Sequence, residues 1–252
     1  MVIKVSTSIS NFREKLLART GLKEYRIHDI FRPCIFFGLY HWVDYFYFIL
    51  HRGKKKVFFC GSDILLINWI KRVVLQCITA KHYCENEVEY KALKKIGIES
   101  EIRPMIFDDP NKFKACFKPS GKFKPEVYMT CHDGRQKEYG VDKFKKIMEL
   151  FPNLDYNIYY NAPEAYFDEE IKRQYAAIRL NKFDGFAETL AKSVLMGQYP
   201  ISWIPYPHIT HVYDAKSLRK ALEGLSKKKK PNYEARRFWL KKLDESLCNI
   251  LL

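Results

Sequence analysis

Short apolar runs of strand length alternate with segments of helical period along almost the whole 252-residue chain, and no other feature restricts its fold as much. In the first half, strand patterns at 2–6, 25–30, 34–37, 57–60, 78–82 and 101–106 are separated by helix patterns at 9–19, 41–50, 64–75 and 85–96. Residues 107–125 (FDDPNKFKACFKPSGKFKP) lose the period and gain Pro, Gly and Lys, as a linker does. The alternation then restarts. Strands are expected at 126–131, 156–160, 177–180 and 199–203, and helices at 141–151, 163–175, 187–196, 215–225 and 233–252. Such alternation builds parallel sheets covered by helices on both faces. The sequence therefore predicts an α/β chain of two Rossmann-like, doubly wound parallel-sheet lobes with a cleft between them. The lobes are expected at 1–106 and 126–252. The last helix is expected to cross back, burying a stripe of Phe238, Leu240, Leu243, Leu247, Ile250 and Leu251. Ligands of these sheets sit at the carboxyl ends of the strands.

Composition narrows the partners. With 47% hydrophobic and 29% charged residues the chain can bury a core, which sets aside a disordered polyelectrolyte. The net charge of +15 is divided as +8 over residues 1–105 and +7 over the remainder, so it is a field and not a tail. It favours anionic partners: nucleotides, phosphates, nucleic acid or an acidic membrane face. Seven Cys, an odd number with no C-x-x-C pair, read as reduced thiols in a cytoplasmic setting. The N-terminal residues carry no apolar run of signal-peptide length. The stretch FFGLYHWVDYFYFIL (36–50) is too short and too polar to span a bilayer, and reads as a buried helix or, alternatively, a membrane-surface element. KKKK at 227–230 reads as a solvated helix end or as a contact for an anionic membrane. No P-loop, zinc spacing, Ser-His-Asp signature or G-x-G-x-x-G is present, and the last absence counts against an NAD enzyme.

The most informative segment is 177–203, AIRLNKFDGFAETLAKSVLMGQYPISW. A strand pattern ends in Asp184-Gly185, a helix pattern follows, and Gly197-x-x-Pro200 leads into another strand. Gly185 lets a ligand approach the backbone, and the amides of Phe186 and Ala187 open a helix N-terminus suited to a phosphate. This segment resembles the donor-binding region of GT-B-fold glycosyltransferases, especially the retaining family 4, with Asp184, Gly185, Phe186, Gly197, Pro200 and Ile201 in register. It departs from that pattern at Lys192, which stands where the family has its ribose-binding Glu; Glu188 lies one turn earlier. An ammonium cannot accept ribose hydroxyl protons, so Lys192 is expected to reach toward the phosphates instead. A second segment, EVYMTCHDGRQKEYGVDKFKKIMELFP, is similar to the family's first C-lobe unit, and by position Arg135 and Lys137 carry over to the pair gripping the donor diphosphate. In the first lobe, VFFCGSDIL resembles a strand and turn of the same family; residues 1–56 carry little of the resemblance.

The resemblance implies a glycosyltransferase that moves a sugar from a nucleoside diphosphate donor to a hydroxyl acceptor on a glycan, lipid or protein. Retention of configuration is expected, with no metal or other cofactor, since no D-x-D is present. His41 and Asp63 are the candidate catalytic residues; each has a plainer reading, His41 as a core residue and Asp63 as a helix cap. His82, His132, His208 and His211 are weaker candidates. Two other classes stay open: a non-catalytic nucleotide- or nucleic-acid-binding α/β protein, and a sugar-nucleotide epimerase on the same fold. The charge and the aromatics suit nucleic acid, but most aromatics fall inside apolar elements, so nucleic acid is the less favoured partner.

Overall fold

The computed structural model describes residues 1–117 and 125–252. They form two compact units. One comprises Met1–Asp109 together with Phe183–Phe186 and Lys242–Leu252; the other comprises Pro110–Lys182 and Ala187–Lys241.

The first unit is built on a six-stranded sheet of β1 (Val2–Val5), β2 (Lys23–Glu24), β3 (Cys34–Phe37), β4 (Lys55–Phe58), β5 (Lys81–Cys84) and β6 (Glu101–Ile102). The strand order is β2-β1-β3-β4-β5-β6, and every pairing is parallel. Side chains along a strand alternate between faces, and the core splits accordingly. Phe36, Val57, Phe59 and Cys84 pack on one side with Tyr45 and Phe48 of α2 (Trp42–Leu50), Leu75 of α3 (Trp69–Cys77) and Leu93 of α4 (Glu87–Lys95). Ile35, Phe37, Phe58 and Tyr83 pack on the other with Leu16 of α1 (Arg13–Thr20) and Ile250. Both faces are covered, which is why β3 reads as the unbroken apolar run CIFF.

The second unit carries a five-stranded parallel sheet of β7 (Glu126–Cys131), β8 (Asp155–Tyr160), β9 (Ala176–Arg179), β10 (Ile201–Ser202) and β11 (Thr210–His211), in the order β11-β10-β9-β7-β8. On one face Val127, Met129 and Ile178 meet Phe144 and Met148 of α6 (Val141–Met148) and Leu218, Leu222 and Leu225 of α9 (Ala215–Leu225). The one-turn α5 (Gln136–Tyr139) precedes α6; α7 (Glu164–Glu170) and α8 (Glu188–Leu195) complete the set. The long α10 (Tyr233–Leu251) is divided between the units: Ala235 and Trp239 are buried in its second-unit part, Leu243, Ser246 and Ile250 in its first-unit part. Of the stripe expected there, Leu243 and Ile250 are buried, whereas Phe238, Leu240, Leu247 and Leu251 are only half-buried.

Other expectations shift for local reasons. No strand forms at 25–30: the ladder is the two residues of β2 just before it, and the Asp29 carboxylate accepts the Arg26 N–H (2.9 Å) as the chain turns through Ile27–Asp29. The helix expected at 64–75 is broken: Asn68 Oδ1 accepts the Lys71 N–H (3.0 Å) and starts α3 anew. Asn86 does the same for α4, accepting from Val88 and Glu89, which leaves Glu85 outside the helix. The aromatic helix α2 was expected to be buried, yet Trp42, Val43, Phe46 and Ile49 are exposed. The linker expected at 107–125 lies partly outside the described residues.

Candidate functional site

In each unit the strand order reverses beside its first strand, between β1 and β3 and between β7 and β9. There the loops leaving the two strands run in opposite directions and open a crevice, the usual ligand position of an open α/β sheet. A group of hydrogen-bonded polar side chains stands at each of these points.

In the second unit Thr130 near the end of β7 and Arg179 at the end of β9 flank the reversal. Arg179 is buried, its guanidinium lies 4.2 Å from the centre of the Tyr139 ring, and it donates to Thr130 Oγ1 (3.4 Å). Thr130 Oγ1 is also 2.9 Å from Thr189 Oγ1 in the first turn of α8. Tyr139 belongs to α5, which Gly140 closes in the left-handed region (φ +72). The exposed Arg135 guanidinium lies 5.6 Å from the same ring and pairs with Glu138 (2.6 Å), and the His132 ring meets Tyr139 edge-on. Lys137 is exposed on α5. Arg135 and Lys137 therefore sit on the loop beside the crevice, and the structure adds Arg179, Thr130, Tyr139 and Thr189. The one signal for Arg179 in the sequence is its place as the charged end of the otherwise apolar strand AAIR.

In the first unit the reversal brings Ser6 and Ser8, after β1, to the N-terminus of α2. His41 caps that helix position; its Nε2 is 2.7 Å from Ser8 Oγ, and its backbone N–H donates to Asp44 Oδ2 (2.9 Å), which also accepts from Ser6 Oγ (2.8 Å). His41 is exposed, not a core residue. Asp63 is fully buried; Oδ1 accepts the Cys60 N–H (3.0 Å) and Oδ2 the Leu39 N–H (3.1 Å). It precedes the 3-10 turn Ile64–Leu66, where a helix start was expected, but makes no side-chain capping bond to it. It ties together the loops that leave β3 and β4. Burial pushes its carboxyl up to about 7 against the pull of those amides.

The segment Phe183–Phe186 belongs to the first unit. The Phe186 N–H, one of the amides expected to face a phosphate, donates to Glu85 Oε2 (3.0 Å). The Asp184 carbonyl accepts from Asn86 Nδ2 (2.7 Å), and Asp184 Oδ1 takes the Gly185 N–H (3.0 Å). A Cβ at Gly185 would collide with Glu85 Oε2. Glu89 Oε2 accepts the Glu85 N–H (2.6 Å). Burial first, and then the neighbouring carboxylates, raise the pKa of Glu85 and Glu89 well above the ordinary carboxyl range.

Ala187 precedes α8 in the second unit, and Glu188 opens the helix. Lys192, on α8, is buried to 3% side-chain exposure, with Nζ at 2.6 Å from Asp168, 2.8 Å from Glu164 and 3.8 Å from Glu188. Burial alone would lower its pKa; the three carboxylates outweigh that and raise it. The rings of Phe113 and Phe167 lie within 6 Å of the ammonium. Of the weaker candidates, His82 is stacked on Phe59 with its pKa lowered by burial, while His208 and His211 are exposed. Among the described residues no group of three or more His, Cys, Asp or Glu could hold a metal ion.

No protein-family model matches the chain, and no curated protein matches its sequence. Solved structures are similar to it. The lipopolysaccharide outer core galactosyltransferase WaaB, in its apo form, gives a TM-score of 0.58 at 10% identity over 96% of this chain and 81% of that one. Sucrose-phosphate synthase from Thermosynechococcus elongatus gives 0.56 at 9% identity over 96% and 73%. A TarM mutant of S. aureus, in complex with fondaparinux, alpha-GlcNAc-glycerol and UDP, gives 0.53 at 8% identity; the match covers 86% of this chain but only 54% of that longer one. Two parallel-sheet α/β units with these neighbours give the chain the fold of the GT-B glycosyltransferases.

Proposed function

We propose that the chain is a glycosyltransferase that moves a sugar from a nucleoside diphosphate donor to a hydroxyl acceptor. The observation that carries this reading is the Tyr139 cluster, where two guanidinium groups share one ring at the carboxyl ends of β7 and β9. The donor diphosphate takes its place there. Arg179, fixed by its ring and by Thr130, presents a planar fork to the phosphate oxygens. Arg135 joins it by exchanging Glu138 for phosphate, and Lys137 adds a point charge. Negative charge grows on the diphosphate as the glycosidic bond breaks, and cations already in place stabilise it without reorganisation. The Ser8–His41 pair at the β1/β3 reversal is assigned to the acceptor, with His41 holding a sugar or acceptor hydroxyl. Asp63 is a positioning residue that sets the loops after β3 and β4.

Configuration is retained in this account, the departing diphosphate taking the acceptor proton on the face it leaves. The test is a panel of nucleoside diphosphate sugars screened by thermal shift, with hydrolysis and transfer assays on any hit. One donor should raise the unfolding midpoint by mass action, and its nucleoside diphosphate should be released in the presence of EDTA. No shift with any donor, or activity abolished by EDTA and restored by Mn²⁺, would contradict the proposal.

A further inference from the structure

His132 and Asp133 open the loop that leaves β7, and Asn161 follows the last residue of β8 beside them. The Asn161 backbone N–H donates to the Cys131 carbonyl (3.1 Å), one step beyond the paired residues Cys131 and Tyr160. Its φ of +44 is one that Asn tolerates better than most residues. Both groups of its side chain are engaged: Nδ2 lies 2.5 Å from Asp133 Oδ2, and Oδ1 lies 3.1 Å from His132 Nδ1. An ionised carboxylate only accepts, so the amide nitrogen faces Asp133 and the amide oxygen faces the ring. His132 Nδ1 therefore carries the proton, and in the neutral ring Nε2 is left as an acceptor. Among the described residues Nε2 has no hydrogen-bond partner, and His132 is exposed.

The imidazole is held a second time by Tyr139, whose ring it meets at 85° with 5.9 Å between centroids. That same ring carries the Arg179 and Arg135 guanidinium groups at 4.2 and 5.6 Å. The Arg135 N–H donates to the His132 carbonyl (3.1 Å) across a turn in which Gly134 is left-handed (φ +77), so one turn fixes both residues. A histidine free in solvent exchanges between tautomers; one whose Nδ1–H is committed offers a single lone pair beside these cations. That lone pair repels phosphate oxygens, which the opposite tautomer would have bound through Nε2–H, and it accepts from a hydroxyl. A nucleoside diphosphate sugar carries hydroxyls on both sides of its diphosphate, on the ribose and on the sugar. We propose that His132 determines specificity, its Nε2 accepting a hydrogen bond from a ligand hydroxyl next to the diphosphate, and that Asn161 and Asp133 are positioning residues that hold its tautomer. This inference deepens the proposed function and rests on its placing of the diphosphate.

The test is calorimetric titration of the full chain at about pH 8, where imidazoles are neutral, with inorganic pyrophosphate, with UDP, GDP and ADP, and with their glucose conjugates. Pyrophosphate supplies the diphosphate without ribose or sugar. His132→Phe keeps a ring against Tyr139 and removes the acceptor. It should leave pyrophosphate affinity unchanged and weaken the preferred nucleotide by about three- to tenfold, as the loss of one hydrogen bond between neutral groups does. Equal weakening of the nucleoside diphosphate and its glucose conjugate places the hydroxyl on the ribose; weakening of the conjugate alone places it on the sugar. Asn161→Gly, which suits the left-handed backbone, should lose the Nδ1–H signature of His132 in imidazole nitrogen NMR spectra and weaken the same ligands. The exchange Asp133→Asn with Asn161→Asp keeps an acceptor for Nδ1–H and a donor between the two side chains, and should restore both readouts. All three residues are exposed, so unfolding midpoints should stay close to the parent's. Parent-like nucleotide affinity in His132→Phe, an equal loss for pyrophosphate, or an Nε2–H tautomer in the parent overturns the inference alone. Binding of neither pyrophosphate nor any nucleotide by the parent removes the donor reading, and this inference with it.

Discussion

The Arg179 guanidinium, at the carboxyl end of β9, has the Tyr139 ring of α5 beside it and the Thr130 hydroxyl of β7 within reach; the Lys192 ammonium has three carboxylates around it. These surroundings predict opposite phenotypes. Arg179→Lys keeps the charge but loses the planar fork, and should lower kcat by one to two orders of magnitude. Arg179→Met should cost about 2–4 kcal/mol of transition-state stabilisation, like the loss of other preorganised groups at a developing anion. Arg135→Ala and Lys137→Ala, at exposed positions, should reduce turnover while leaving the unfolding midpoint nearly unchanged. Lys192→Met should instead act on folding. Removing one partner of a fully buried ion pair costs about 3–5 kcal/mol; with Glu164 and Asp168 partly in water, a loss of about 1–3 kcal/mol in urea unfolding is expected, with nucleotide affinity unchanged. A fall in diphosphate affinity at unchanged stability would return Lys192 to the donor site. Its engagement was illegible in the sequence because Glu164 and Asp168 lie 28 and 24 residues away on another helix.

At the scale of elements, the loop between β9 and α8 shows what local pattern can and cannot reveal. Strand, acidic-Gly turn and helix were all legible, and β9 and α8 stand within a residue or two of where the sequence put them. The partner of the loop was not legible: Glu85 is 101 residues from the Phe186 amide it accepts. The asparagine caps were visible in principle, since Asn68 and Asn86 each precede a helix start; the longer apolar period around them hid the break. The buried carboxyls of this region predict an unusual pH dependence. In the unfolded chain Asp63, Glu85 and Glu89 ionise near pH 4, whereas in the fold burial raises all three, Asp63 to about 7. Between those values the unfolded chain binds fewer protons than the folded one, so stability falls as pH rises from about 4 to about 7. Urea midpoints measured across that range should decline, and Glu89→Gln, which removes one titrating group, should make the decline shallower. A midpoint that climbs with pH over the same range, or a slope unaffected by Glu89→Gln, would show that other groups govern the titration. Gly185→Ala should displace Glu85 from the Phe186 amide and lower the midpoint as well.

For the whole molecule, the alternation of strand and helix was sufficient to announce two parallel-sheet units, because βαβ connections leave few other arrangements. Alternation does not give strand order, and order is what places the crevices: the reversals at β1/β3 and β7/β9 emerge only from the pairing. They explain why His41, read from a run of aromatics, stands exposed beside Ser8, and why Arg179, which no motif flagged, lies at the centre of the second unit's polar cluster. The net charge of +15 favours anionic partners for the chain as a whole. The central claim is that the β7/β9 crevice holds the diphosphate of a sugar donor. Titration calorimetry of nucleoside diphosphates against the parent chain and Arg179→Met tests it most directly. The account predicts that at least one nucleoside diphosphate binds the parent, that the bare nucleoside binds far more weakly, and that Arg179→Met weakens the diphosphate by about tenfold or more, the loss of a charge-assisted contact. Absence of binding by every diphosphate, or equal affinity in the parent and Arg179→Met, would contradict it.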